Sequence, residues 1–386
     1  MDISLRLKKL PPYLFAEIDR TKQRLRAEGL DLIDLGIGDP DQPTPQHIID
    51  KLCEAVKDPT NHRYALDQGL WEFRKAISNW YKRRFNVDLD PHREIQPLIG
   101  SKEGIAHLPL AFLNAGDIAL IPDPGYPPYK SGTILAEGKP YPLPLLPENN
   151  FLPELKKIPS SILKKAKILF LNYPNNPTTA ISPEDYFKKV IGFAQKNKIL
   201  ICHDAAYSEI SFDGYSSPSF LQFKGAKEVG IEFHSLSKTY NMTGWRIGWV
   251  CGNRKAVEAL GRVKTNIDSG IFQAIQIAGI SALEGDQSCV ERMKEIYKER
   301  RDALIEGLKE IGWEINKPLA TFYVWARLPK PYKSSIKFAK LLLENAHIVV
   351  TPGIGFGEYG EGFVRFSLTN SIERIKEAMV RMKKVL

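Results

Sequence analysis

The sequence predicts an α/β protein, with a mostly parallel sheet covered by helices and a smaller α+β region beside it. Three observations carry this expectation. Short apolar runs alternate with amphipathic stretches through the middle of the chain, as parallel strands buried on both faces require. Polar clusters follow those runs repeatedly, and in parallel sheets ligands bind at the carboxyl ends of strands. Beyond Gly285-Asp286 the pattern changes to a long helical period and then to separated β-like segments.

Taken in chain order, Tyr13–Glu28 has a helical pattern. It is expected to pack on the smaller region, since Asp31–Leu35 leads into the glycine turn Gly36-Ile37-Gly38. The expected strands are Ile95–Ile99, Asp117–Ile121, Lys167–Leu171, Ile199–Cys202, Gly230–His234 and Ile247–Val250, with Pro183–Lys196 an amphipathic helix among them. The proline-rich stretch Pro140–Pro159 is expected to be a connection. After Gly285, the apolar positions Val290, Met293, Ile296, Leu304, Leu308 and Ile311 fall at roughly the helical period, and Thr321–Ala326, His347–Thr351 and Phe363–Leu368 are β-like. The expected domains are therefore 36–285 for the larger, and 1–35 with 286–386 for the smaller. Gly355-Phe356-Gly357-Glu358-Tyr359-Gly360 matches G-x-G-x-x-G literally. A dinucleotide-binding turn must open a helix, and here a strand-like segment follows, so the match reads as a glycine loop.

Composition narrows the function. With 386 residues, 43% hydrophobic and 26% charged, the chain can bury a large core and divide in two. No apolar run is long enough to span a bilayer, and Met1–Arg6 lacks an apolar signal core, so a cytoplasmic location without membrane partners is expected. Cys53, Cys202, Cys251 and Cys289 are scattered without a CxxC pair, as reduced thiols are. The net charge of +9 comes from basic residues interleaved with acids, as in Lys294–Arg301. With no basic stripe and no nucleic-acid motif, this describes a solvated basic surface that mildly attracts acidic substrates.

The densest chemistry lies in Ser235-Leu236-Ser237-Lys238-Thr239-Tyr240-Asn241-Met242-Thr243-Gly244-Trp245-Arg246. The apolar run before it holds Lys238 at a strand end, with hydroxyls three and one residues earlier and an arginine eight residues later. A lysine so placed can form an imine with an aldehyde, while two serines and a guanidinium gather round a phosphate. Pyridoxal 5'-phosphate (PLP) carries both groups.

The remaining strand ends supply what that cofactor needs. PLP stabilises a carbanion best with its ring nitrogen protonated, which asks for a buried carboxylate. Asp204 follows a strand and is the candidate. A helix N-cap is the ordinary role for such an aspartate, but Tyr207 nearby and Lys238 after the next strand favour the ring partner. His203 has no neighbours at metal-ligand spacing and reads as structural. Within Asn172-Tyr173-Pro174-Asn175-Asn176-Pro177-Thr178, prolines stiffen the turn and Asn176 presents its amide to the phenolic oxygen, to which Tyr207 also donates. Tyr126, in Pro124-Gly125-Tyr126-Pro127, is suited to stack on the pyridine. Ser101, Lys102, Ser235, Ser237 and Arg246 would share the phosphate, with backbone N–H groups after Gly100. Arg365 lies in an apolar strand, where a charge needs a partner or a purpose. Its planar fork fits a carboxylate, and a salt bridge is the ordinary alternative.

Together these residues resemble the fold-type-I PLP enzymes of class I/II aminotransferases, from Gly36-Ile37-Gly38-Asp39-Pro40 to Phe363-Val364-Arg365-Phe366. The resemblance implies a mostly parallel seven-stranded sheet in the larger domain. It implies that Lys238 is the imine lysine and Asp204 the pyridinium partner, with Asn176 and Tyr207 at the phenolic oxygen. Tyr126 would stack, and Ser101, Lys102, Ser235, Ser237 and Arg246 would bind phosphate. Arg365, with Asn176 and the Gly38 backbone, would hold the substrate α-carboxylate. Tyr64 resembles the tyrosine that reaches the phosphate of a partner subunit, which implies a homodimer. One departure is visible: Thr179 stands where the family usually has glycine after Asn-Pro-Thr.

More narrowly, Gly100–Gly104, Pro122–Pro127, Phe233–Trp245 and Lys264–Gly270 resemble LL-diaminopimelate aminotransferases of the bacterial and archaeal branch. In these an N-terminal tyrosine, here Tyr13, lines the substrate site. The implied reaction moves an amino group from LL-2,6-diaminopimelate to 2-oxoglutarate, in lysine biosynthesis. Tyr13, Lys102, Glu103 and the Asn266–Ser269 segment of either subunit are expected round the donor's distal end. The rivals are alanine, aspartate or aromatic aminotransferases, a PLP β-lyase, and a catalytically idle PLP-binding regulator.

Overall fold

The computed structural model describes residues 1–11, 16–65 and 68–386. After a short strand β1 (Ile33–Asp34), seven strands form the main sheet. They are β2 (Ile95–Leu98), β3 (Ile118–Asp123), β4 (Lys139–Pro144), β5 (Ala166–Asn172), β6 (Leu200–Asp204), β7 (Gly230–Ser235) and β8 (Gly248–Gly252), in the spatial order β2-β8-β7-β6-β5-β3-β4. Only β8 runs against its neighbours. Consequently β2, β3, β5, β6 and β7 all end at one edge of the sheet, and β8 begins there.

Period-two packing explains the unbroken apolar runs. Leu169 and Leu171 of β5 face one core with Phe73, Trp80 and Phe187. Ile168 and Phe170 face the other, with Leu108, Phe233 and Leu260. Both faces are covered, so the central positions Ile168–Leu171 are all apolar.

The stretch expected as a connection, Pro140–Pro159, instead contributes the edge strand β4. Lys139, Tyr141 and Leu143 alternate there with Pro140, Pro142 and Pro144, and Lys139 N donates to Asp117 O at 2.7 Å. Proline has no N–H to give a ladder. Alternate prolines therefore suit an edge strand, where those positions face away from the only neighbour. The prolines that argued for a connection also cap the sheet.

A further core forms round the antiparallel sheet of β9 (Tyr323–Arg327), β11 (Thr351–Pro352) and β12 (Phe363–Ser367), in the order β11-β12-β9. Beside it β1 pairs in parallel with β10 (Ile348–Val349). The helices Ser288–Glu310, Ser335–Ala346 and Ile372–Met382 pack on this core, as does Ala16–Ala27 through Leu25. Tyr207, Ile210 and Phe212 join it from the chain segment after β6. The glycine loop holds no helix: short turns at Gly353–Phe356 and Glu358–Gly360 lead into β12. Gly357 is required there, since a Cβ on it would lie 2.0 Å from Asp123 Oδ1. Among the described residues no helix is long and apolar enough to cross a membrane.

Candidate active site

The common edge of β2, β3, β5, β6 and β7 meets the smaller core across a cavity of about 710 Å³. Gly38, Ser101, Lys102, Tyr126, Asn176, Asp204, Tyr207, Ser235, Ser237, Lys238, Arg246 and Arg365 line it, and Tyr64 does not. Tyr13 lies outside the described residues.

Lys238 sits one turn past β7, in the short helix Leu236–Thr239 that Ser235 caps. Its Nζ donates to Gly38 O at 2.8 Å and stands 5.6 Å from the Phe322 ring. Burial pushes the ammonium down to about 8. Arg365 and Arg246 act in the same direction, against the pull of Asp39. A fraction of the amine is therefore neutral near physiological pH.

Asp204 ends β6, fully enclosed, and burial pushes its carboxyl above the usual carboxylate range. Tyr129 Oη donates to its Oδ2 at 2.8 Å and Ala206 N to its Oδ1 at 3.3 Å. No helix starts at Asp204, so the N-cap role is not what it performs. Asn172, at the end of β5, ties this corner together. Its Nδ2 donates to Asp204 O at 2.7 Å, and its Oδ1 accepts from Asn176 N at 2.7 Å. Thr179 adopts the left-handed φ of 62° that glycine would take, and the turn still presents Asn176 to the cavity.

Arg365 crosses from β12. Its Nη1 donates to Asn176 Oδ1 at 2.7 Å and its Nη2 to Gly36 O at 3.0 Å. The guanidinium lies 4.0 Å from the Tyr323 ring centroid and 4.7 Å from that of Phe356. No described carboxylate pairs with it, and its buried Nε has no described partner. A charged fork beside two rings, without a counter-ion among the described residues, suits an anion. Tyr207 Oη lies 3.1 Å from Tyr323 Oη, which fixes the phenol beside the same cavity.

Opposite these groups, Gly100 (φ 74°) turns the chain from β2 into the helix Ser101–Phe112. A Cβ at Gly100 would fall 2.0 Å from Arg246 Nη2, so only glycine lets the arginine lie against the helix start. Arg246 Nη1 donates to Thr243 O at 2.8 Å. Ser235 Oγ accepts from Ser237 N at 3.2 Å, whereas the buried Ser237 Oγ has no partner among the described residues. Free helix N–H groups, an arginine and an orphaned hydroxyl converge as a phosphate requires.

Residues 31–382 match the family model for class I and II aminotransferases. The chain belongs to this family. LL-Diaminopimelate aminotransferase of Halothermothrix orenii is 58% identical over 99% of this chain and 98% of its own. The enzyme of that name from Aquifex aeolicus is 54% identical over 99% and 98%. Among solved structures, substrate-bound BacF from Bacillus subtilis superposes with a TM-score of 0.95 at 40% identity, covering 100% of this chain and 98% of that one. A Thermus thermophilus aspartate aminotransferase mutant gives 0.94 at 28% identity, covering 100% of both chains. The protein is thus a PLP-dependent aminotransferase of fold type I.

The residues of this aminotransferase fit that cofactor. An enclosed carboxylate, a partly neutral amine, and a phosphate-sized cup with an orphaned hydroxyl all face one cavity. Among the described residues no cluster could hold a metal ion, and His203 instead bonds Glu232 at 2.8 Å.

Two groups expected round the distal end lie outside this chain's own cavity. Glu103 does not line the cavity. It accepts from Ile99 N at 2.9 Å, tying its helix to the end of β2, and it contacts His107 and Lys264. The Asn266–Ser269 segment also lies outside this cavity: Asn266 Nδ2 donates to Arg262 O, and Asp268 accepts from Lys264. Three groups were missed: Tyr129, Tyr323, and the ion pair of Lys22 with Asp34 at the cavity wall. Tyr129 follows Tyr126 by three residues, which was its one available signal.

Proposed function

We propose that this aminotransferase takes its amino group from LL-2,6-diaminopimelate and passes it to 2-oxoglutarate, in lysine biosynthesis. The observation that carries the choice of donor is the full-length likeness, at 58% and 54% identity, to enzymes bearing that name.

In this reading each residue has a defined task. When bound, PLP supplies the electron sink that makes the substrate Cα–H acidic. Lys238 Nζ would anchor the aldehyde and, once displaced as a neutral amine, would take the proton from the substrate Cα and give it to the cofactor's C4'. Asp204, aligned by Tyr129, holds a proton on the ring nitrogen. Asn176 and Tyr207 donate to the phenolic oxygen, and Tyr126 covers the ring. Ser101, Lys102, Ser235, Ser237 and Arg246 hold the phosphate. Arg365 grips the α-carboxylate with Asn176 and Gly38, and Lys102 and Tyr126 also bound the substrate side.

Tyr64 supports a homodimer in which each chain completes its partner's phosphate cup. Its side chain is 86% exposed, and it lies outside this chain's cavity. We further assign 36–285 as the larger domain, 1–35 with 286–386 as the smaller, and the cytoplasm as the location, consistent with four free thiols.

A donor panel tests the specificity, with 2-oxoglutarate as acceptor and glutamate formation as readout. LL-diaminopimelate should exceed its meso isomer, lysine, alanine, aspartate and tyrosine in kcat/KM, because a pocket pairing both distal charges rejects donors that leave them unpaired. A higher value for alanine, aspartate or tyrosine would overturn the donor and leave the family unaffected.

A further inference from the structure

The turn Gly36-Ile37-Gly38 holds both working ends of the site. Gly36 O accepts from Arg365 Nη2 at 3.0 Å and from Thr351 Oγ1 at 2.8 Å. Ile37 O accepts from Thr369 Oγ1 at 2.7 Å, and Gly38 O accepts from Lys238 Nζ at 2.8 Å. Any rotation of this turn would therefore move the anion-binding fork and disturb the lysine together. Its approach to Tyr323 is close, since a Cβ on Gly38 would lie 1.9 Å from Tyr323 Oη.

Asp34 holds the turn from its N–H side. One carboxylate oxygen, Oδ1, accepts from Gly36 N at 3.0 Å, while Oδ2 pairs with Lys22 Nζ from the helix Ala16–Ala27. Both side chains are largely withdrawn from water, at 12% and 16% exposure. An exposed pair such as Lys51–Glu54, at 40% and 70%, is held by solvent as much as by its partner. With both oxygens engaged, the Asp34 carboxylate has one orientation, and Gly36 N is held with it.

We infer that Lys22 and Asp34 are positioning residues for the transamination site: their ion pair sets the Gly36–Gly38 turn, and through Gly36 O it orients Arg365 towards substrate carboxylates. This rests on Arg365 being the α-carboxylate clamp. Neither residue need touch the substrate, so the effect is common to every amino and 2-oxo acid the enzyme accepts.

The test compares Lys22→Met, Lys22→Arg, Asp34→Asn, Arg365→Lys and the exposed-pair control Lys51→Met, all as holoenzyme. Steady-state kinetics with the preferred donor and with 2-oxoglutarate are read beside calorimetric binding of 2-oxoglutarate and thermal melting. Lys22→Met should raise KM for donor and acceptor alike by roughly 5–30-fold, the effect of loosening one charge-assisted contact. The calorimetric affinity should fall by a similar factor, with kcat within about threefold of wild type, as lost uniform binding predicts. Lys22→Arg should recover most of the loss, and Lys51→Met should show none. Asp34→Asn keeps an oxygen for Gly36 N and loses the charge, so it should fall between wild type and Lys22→Met. It also carries the test if Lys22→Met does not fold. Unchanged KM in the folded variants, a loss confined to one substrate, or a loss that merely tracks the unfolded fraction would overturn the relay. If Arg365→Lys raises KM and the Lys22 and Asp34 variants do not, the relay alone falls; if Arg365→Lys leaves KM unchanged, the clamp itself falls.

Discussion

At Lys238 the fold carries a primary amine nearly sealed from water, and this has a measurable cost. Its folded-state value of about 8 lies below its ordinary 10.5, chiefly through burial. Below pH 8 the amine is protonated in both the folded and unfolded chain, and the full penalty applies. Between pH 8 and 10.5 the unfolded chain binds more proton, so stability rises with pH and the penalty fades. Cofactor-free Lys238→Met should therefore be more stable than wild type at pH 7, by roughly 3 kcal/mol. Denaturant titrations at several pH values should show that advantage shrinking towards pH 10.5; a constant difference would contradict the burial account. Thr179 is a second strained residue, a β-branched side chain at φ 62°. Thr179→Gly should raise stability by roughly 0.5–1 kcal/mol, the left-handed strain relieved less the entropy cost of glycine. Because Asn176 N is held separately by Asn172, kcat should not change. An equal or lower urea midpoint would show that the turn bears no strain. The sequence revealed the departure at Thr179 but not its backbone angle, which neighbouring turns impose.

The elements were legible where one rule governed them. β3, β5, β6 and β7 are buried on both faces, so apolar runs marked them, and their polar ends fell on one edge as the parallel pattern demands. β4 escaped because its prolines signal a break in any strand except an edge, and edge status is a property of the assembled sheet. The helix Ser101–Phe112 begins at a glycine that admits Arg246, a contact between elements far apart in sequence. Gly100→Ala should push that guanidinium away and strain the backbone at φ 74°. PLP affinity, read by absorbance titration of the cofactor-free enzyme, should fall by roughly 10–100-fold, as loss of a charge-assisted contact implies. Retained affinity would remove Arg246 from the phosphate cup.

For the whole molecule, the site belongs to no single core: strand ends of the larger sheet face Arg365 and the Gly36–Gly38 turn across the cavity. The role proposed for Tyr64 would extend that logic to a second chain. Mixing Tyr64→Phe with Lys238→Ala should restore turnover at low PLP, since one site of each mixed dimer then has an intact lysine and an intact partner tyrosine. No recovery after exchange of subunits is verified would place Tyr64 on its own chain's chemistry. The sequence by itself determined the kind of fold and picked out the residues proposed here as imine lysine, ring carboxylate, phosphate cup and anion fork. These follow from residue type at strand ends, which is local information. Tertiary structure alone decided that Tyr129 braces Asp204 from 75 residues away, and that Tyr323 sets Tyr207 from 116. It also set Glu103 against Ile99 N and Lys264 and tied Lys22 to the site through Asp34. A side chain's polarity is written in the sequence, but its partner is chosen by which faces pack together, and that is resolved only when the chain closes on itself.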